Sequence, residues 1–335
     1  MKNVKKIGLS ALAGALAFTS ANAGDVSLSG SMIASFTKKG GYNTTGNPLG
    51  MNKELTVTAS GELDNGVGVA YKQTITNAMG YNDSELVFTG VPMMGDATLA
   101  MTSTGGPLDA IDDKTPIAFE EANAAVGSVK DVSGVNGTYG IRYTLADVMG
   151  SGVSLDAMYV PKHGTGDAAA EKGVSGDGSA AAKEGYDVVL SGAVPMLDGL
   201  NFGLGYGVKN SNASAAEGDM DQHEGTAYAS YAFGGFTVGV QRGAVEVPGL
   251  SSALYTNDYI GVSYAVSDNL SLSYNEIESN KNADGTNIDQ DLDSISLSYT
   301  AGGMTIGILD SEAKNASYTA DRKQSATAIQ MSIAF

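Results

Sequence analysis

Five carboxylates crowd one short stretch of this chain: Asp109, Asp112, Asp113, Glu120 and Glu121, all within Ser103–Asn136. Carboxylates gathered around a passage select for positive ions. The stretch opens with Thr104-Gly105-Gly106-Pro107, which can turn a chain sharply, and Pro116-Ile117-Ala118-Phe119 gives its middle an apolar grip. It reads either as a solvated acidic surface loop or as a loop docked on a wall with its acids lining a constriction. The strands that flank it decide between the two.

A second group of oxygen ligands falls in Asn280–Asp291, where alternate positions and Gly285 loosely resemble a calcium loop, with Asn282, Asp284, Asp289 and Asp291 as ligands. The first position is Asn280 and the twelfth is Asp291, a departure from that pattern, and a plain hairpin loop is the better reading. His163 and His223 fall in expected loops without a second ligand at metal-binding spacing and without a serine partner for hydrolysis. Nothing here reads as an enzyme. No cofactor is expected, calcium being a weak candidate only.

The elements that would position these groups are strands. Period-2 runs recur along the whole chain, from Val26, Leu28, Gly30, Met32, Ala34, Phe36 to Ile329, Met331, Ile333, Phe335, and they number about 16. Their connections alternate in length. Short ones fall at Asp64–Gly66, Gly90–Gly95, Ala146–Ser151, Pro195–Gly199, Gly234-Gly235, Val266–Asn269 and Ala301–Gly303. Long ones fall at Lys38–Asn52, Asn77–Asp83, Ser103–Asn136, Lys162–Gly185, Asn210–Glu224, Ala244–Asn257, Asn280–Gln290 and Lys314–Arg322. Sorting of this kind describes an outer-membrane β-barrel. The phase opposite the apolar one carries Thr56, Thr58 and Ser60, then Ser271, Ser273 and Asn275, then Ser294, Ser296 and Ser298. So many hydroxyls need partners, and water in an open lumen supplies them.

The two ends agree. Lys2, Lys5 and Lys6 precede the apolar run Ile7–Phe18, and Ala21-Asn22-Ala23 is a small-residue cleavage site. This is the anatomy of a secretory signal peptide over residues 1–23, leaving a barrel domain over 24–335. Removing those three lysines from a formal net charge of −18 leaves the mature chain at about −21. Such a chain repels phosphate and excludes nucleic acid as a partner. There is no cysteine, so neither disulfides nor thiolate ligands contribute.

Signal peptide, strand number, a third long connection that is the longest, and the terminal Phe335 together resemble the Gram-negative general diffusion porins, the alphaproteobacterial type in particular. The fold expected is all-β: a transmembrane antiparallel barrel of about 16 strands with an inward-folded third loop. The resemblance implies a homotrimer among outer-membrane lipids that passes small hydrophilic solutes and ions, with Phe335 as an assembly signal. It places Asp109, Asp112, Asp113, Glu120 and Glu121 at the constriction. The family opposes them with wall cations. Here only Lys72 and Arg142 fall clearly in the inward phase, Arg142 matching the family's inward arginine, while the fourth strand offers Glu85. That thin basic cluster implies a cation-preferring pore. Small outward Gly30 and Ala34 with Gln73 offer a flat subunit contact. The alternatives are a substrate-specific channel, which would line its lumen with more aromatic steps than Tyr228 and Tyr259, and a structural or adhesin barrel, which would lack a constricting loop.

Overall fold

In a computed structural model, the residues described are 23–76, 81–127, 129–135, 139–163, 182–211, 221–249, 253–283 and 286–335. Except for Ala23, the expected signal peptide lies outside them. The strands are β1 Ala23–Gly41, β2 Leu49–Glu62, β3 Gly68–Ile75, β4 Tyr81–Thr89, β5 Thr98–Thr102, β6 Gly140–Leu145, β7 Val153–Val160 and β8 Ala182–Ala193. They continue as β9 Leu200–Ser211, β10 Gln222–Phe233, β11 Phe236–Val247, β12 Ala253–Ser267, β13 Leu270–Ala283, β14 Thr286–Ala301, β15 Met304–Lys314 and β16 Gln324–Ala334. Each pairs antiparallel with its neighbours in sequence, and β1 pairs with β16 to close the barrel. Among the described residues no helix is long and apolar enough to cross a membrane; the strands form the span.

Alternation sets the two faces. On β13 Leu272 and Tyr274 are exposed outward, while Ser273 and Asn275, which alternate with them, are buried inward. Near the short turns the outward face carries Tyr231, Phe233, Phe236 and Tyr264, successive ring centroids 5.7, 5.9 and 4.4 Å apart. An aromatic row at the edge of the apolar belt is the girdle that anchors a barrel at a membrane interface. The turn between β14 and β15 is Gly302-Gly303, with φ of 59° and 81°, the mirror-image geometry that matches strand twist and that glycine adopts without strain.

Closure uses the last residue. The Gly30 and Phe335 backbones exchange hydrogen bonds of 2.8 and 2.9 Å. The Phe335 ring takes the space above Gly30, where a Cβ would lie 2.7 Å from Cε2. This corrects one expectation: Gly30 is small because the chain's own terminus covers it, so it offers no bare contact for a second subunit.

Several strands outrun their apolar pattern. The expected loops Ala244–Asn257 and Asn280–Gln290 are largely ladder, because β11 runs to Val247, β12 begins at Ala253 and β13 and β14 meet at 283 and 286. Beyond the belt the outward positions become Asp258, Glu276, Glu278, Asp291, Asp293, Asp310 and Glu312, with Glu276 opposite Asp293 and Glu278 opposite Asp291. The apolar signal ends there while backbone pairing continues. The calcium candidates lie on this ladder. Asn282 pairs with Asn287, Asp289 with Asn280 and Asp291 with Glu278, so the three occupy every second rung instead of surrounding one point. Asp284 lies outside the described residues.

Between β5 and β6 the long third connection carries a 3-10 turn at Asp109–Ile111 and one helical turn, α1, at Asn123–Val126. Its apolar residues pack on wall side chains of the inward phase. Leu108, Ile111 and Val132 cluster with Val189 and Val245, and Ala122 and Val126 cluster with Tyr259, Ile277, Leu292 and Ala313. Part of the barrel interior is therefore dry. The inward hydroxyls of β13 and β14, for which the sequence suggests water as partner, meet the loop here instead.

Candidate functional site

The third connection is held mainly by its own backbone. Lys114 N–H donates to Gln241 Oε1 at 2.7 Å, and Gln241 Nε2 donates back to the carbonyls of Ile111 and Asp112 at 2.9 and 2.6 Å. Ala118 N–H donates to Ser273 Oγ at 2.8 Å, Phe119 N–H to Ser296 Oγ at 3.2 Å, and Ala122 N–H to Asn275 Oδ1 at 3.2 Å. Two buried wall carboxylates grip the returning limb. Glu224 accepts from the Ser133 and Gly134 N–H groups at 2.7 and 2.8 Å, and Asp187 from Val135 N–H at 2.9 Å. Loop amides removed from water must find acceptors, and the polar phase of β8 to β14 provides them. That explains Ser273, Asn275 and Ser296 better than solvation does.

Glycines on the same face give the loop room. Pro116 lies against Gly239 and Gly261, which are paired across β11 and β12; a Cβ at Gly239 would meet Pro116 Cδ at 2.5 Å. Pro116–Phe119 is thus in contact with β11 to β15.

So held, the loop concentrates its acids. Asp109, Asp112, Glu120 and Glu121 are each pushed above the ordinary carboxylate range, first by burial and then by repulsion from Asp113. Asp112 and Glu121 reach about 8. One Glu121 oxygen, Oε1, is buried without a hydrogen-bond partner among the described residues, which favours the neutral acid. Asp131, which the sequence reading did not single out, belongs to the group and is raised to about 7 by burial and Asp113, against the lowering effect of Lys130 and Asn123. It accepts hydrogen bonds from Asn123 Nδ2 and Asn257 Nδ2, each at 3.2 Å, and from the Tyr259 hydroxyl. Its lone position in sequence gave no signal.

Two of the wall cations are paired with carboxylates. Arg142 donates from Nε to Asp156 at 2.9 and 3.1 Å and pairs through Nη2 with the same carboxylate, which also accepts from Thr144 Oγ1. Lys72 stands in register between Thr58 and Glu85 on the inward face. A third inward base, Lys209, was missed because it borders an expected loop. Its ammonium lies 2.6 Å from Glu224 Oε1 and 2.9 Å from Ser133 Oγ. Two of these three bases are matched by a carboxylate on the adjacent strand. His163 Nε2 lies 2.5 Å from the Asn210 carbonyl, and His223 Nδ1 lies 2.7 Å from the Tyr206 hydroxyl. Among the described residues no group of three or more histidines and carboxylates is placed to hold a metal ion.

A family model for Gram-negative porins matches residues 8–306. No curated protein sequence matches the chain. Three solved structures are similar in fold. An anion-selective porin from Comamonas acidovorans has a TM-score of 0.67 at 14% identity, over 93% of this chain and 99% of that one. The outer-membrane channel DcaP of Acinetobacter baumannii has a TM-score of 0.67 at 12% identity, over 94% and 98%. The trimer form of OmpT, an outer-membrane protein of Vibrio cholerae, has a TM-score of 0.66 at 11% identity, over 94% and 100%. A closed 16-strand barrel with sorted connections, and a family match over most of the sequence, lead to one conclusion: this chain belongs to the Gram-negative porin family.

Proposed function

We propose that this outer-membrane porin is a water-filled channel for passive diffusion of small hydrophilic solutes and ions, narrowed by Ser103–Asn136 folded into the barrel and preferring cations. One observation carries the reading. The loop's amides from Lys114 to Val135 donate to inward-facing wall side chains, its carboxylates are gathered in one stretch, and the wall bases Arg142 and Lys209 are each paired to an acid. A net negative constriction lowers the free energy of a passing cation and raises that of an anion. The Comamonas acidovorans relative is described as anion-selective; the fold carries either sign, and the side chains at the constriction choose.

Liposomes bearing the protein should swell in small sugars and not in large ones. In a salt gradient the reversal potential should favour potassium over chloride. No swelling with folded barrels rejects the channel, and a chloride preference rejects the role given to the loop acids.

Assembly as a homotrimer is part of the same proposal, supported by the Vibrio cholerae relative described in trimer form. With Gly30 covered, the outward contact rests on Ala34 and Gln73, whose Oε1 accepts from the Tyr71 hydroxyl at 2.8 Å. Native mass measurement in mild detergent tests it, and finding monomers alone counts against it. Cleavage after residue 23 is tested by N-terminal sequencing of the protein recovered from the outer membrane, where Gly24 is expected first.

A further inference from the structure

Beside the short turns at 146–152 and 194–199, the inward wall holds a cavity of about 350 Å³. Ser154, Ser191, Asn201, Tyr228 and Ser230 line it, together with Lys114 of the third loop. The wall residues meet in register, Ser154 opposite Ser191 and Asn201 opposite Ser230. Ser154 Oγ donates to the Ser191 carbonyl at 3.0 Å and lies 3.1 Å from the Ser191 hydroxyl.

Tyr228 gives this cavity its character. A Cβ on Gly203, its partner in register, would lie 2.2 Å from Cε1 and 2.9 Å from Cδ1 and Cζ, so the ring takes the place of a missing side chain. It also packs against the cluster containing Leu108 and Ile111 of the loop. The ring is thus fixed before any ligand arrives, and the part left uncovered borders the cavity. Two other inward tyrosines, both on β12, are engaged elsewhere: Tyr259 is buried and bonded to Asp131, and Tyr255 packs on the Leu108 cluster and edge-on against Tyr318.

A fixed aromatic surface edged by hydroxyls and a carboxamide complements a molecule with one C–H face and a hydroxyl rim. A rigid ring loses little entropy in making such a contact. Charge narrows the choice further. The Lys114 ammonium is 3.8 Å from Asp113 Oδ1, so the local charge is close to balanced, and the neighbouring acids Asp109 and Asp112 disfavour anions. We infer that this cavity is a weak luminal subsite for a neutral pyranose sugar, stacked on Tyr228 and hydrogen-bonded by Ser154, Ser191, Asn201 and Ser230. The inference rests on the diffusion-channel reading and adds a solute class to it. Weak binding suits a channel, where a solute must be held enough to enter and still leave.

Single channels in planar bilayers test it in salt with increasing glucose or maltose, and with glycerol as a polyol that lacks a pyranose face. Sugar binding lowers the current along a saturating curve, whereas viscosity alone lowers it without saturation. The wild type should saturate with the sugars and not with glycerol. Tyr228→Ala should raise the apparent dissociation constant about tenfold, the scale of one aromatic contact, and Tyr228→Phe should change it less than about threefold. Asn201→Leu, which fills the cavity and removes its amide, should abolish saturation and decides the matter if Tyr228→Ala fails to assemble. The inference is overturned if the wild type conducts normally yet shows only the viscosity effect, or if Tyr228→Ala or Asn201→Leu binds sugar like the wild type. Absence of any conductance in salt alone would instead overturn the channel reading beneath it.

Discussion

Phe119 of the third loop occupies the space that a side chain on Gly307 of β15 would fill: a Cβ there would lie 2.2 Å from Phe119 Cδ2. Two residues almost two hundred positions apart in sequence are thus matched by the absence of one side chain. Gly307→Leu should expel the ring at a cost of about 1–3 kcal/mol, the usual penalty of overpacking. The barrel itself, held by its ladder, should still form. The loop's middle should leave the wall, altering single-channel conductance and weakening ion selectivity. Unchanged conductance in a folded Gly307→Leu barrel would show that this contact does not set the constriction.

Gln241 satisfies one amide and two carbonyls of the loop at once. Gln241→Ala strands all three, and each buried group left without a partner costs about 1–3 kcal/mol. Amide hydrogen exchange at Lys114 should accelerate by one to two orders of magnitude, with little change on β11 itself. Equal acceleration across the barrel would mean that the residue supports the wall, not the loop.

The loop acids predict a pH dependence. Asp112 and Glu121 titrate near 8 and Asp131 near 7 in the folded protein, against ordinary values of 3.8 and 4.5. A carboxyl raised on folding contributes stability that is full below its ordinary value and is lost as pH climbs through the raised one. Docking of the loop should therefore be firmest in acid. Its negative charge moves the other way, so the preference for potassium should grow from pH 6 to pH 9 and level off above. Reversal potentials across that range check it. Asp112→Asn combined with Glu121→Gln should flatten the curve.

Arg142 and Asp156 make opposite predictions from one ion pair. Arg142→Gln leaves the carboxylate unopposed on the inner wall and should strengthen cation preference. Asp156→Asn frees the guanidinium and should weaken it. If both variants shift the reversal potential the same way, the pair lies off the ion path and acts only through packing.

The strand number and the phase of each strand were legible because side chains alternate with period two and one face must meet lipid. The acids of the third loop were legible because they lie close together in sequence. The rest lay across the barrel. Lys209, Glu224 and Asp187 form a clamp for a loop roughly 50 to 90 residues away, and no local pattern announces such a partnership. The ends of β12, β13 and β14 were hidden for another reason. Once outward positions turn acidic, an apolar count stops while the hydrogen-bond ladder does not. Ser273 and Asn275 were read as wet because a hydroxyl or amide in sequence does not reveal whether water or a peptide will satisfy it. Gly30 was read as a subunit contact because nothing in one strand shows that the last residue returns to cover it.

The wall holds the third loop by peptide groups, which every non-proline residue supplies alike. Ser273, Asn275, Ser296, Glu224 and Asp187 all accept from loop amides, and among the described residues none of them bonds to a loop carboxylate. Shape and charge at the constriction are thereby written in different parts of the chain. An aspartate at position 112 or 113 can become a lysine while the amide at 114 keeps its bond to Gln241. A protein built in this way can make its filter far less negative by one or two substitutions, with no strand, turn or loop path having to be invented again.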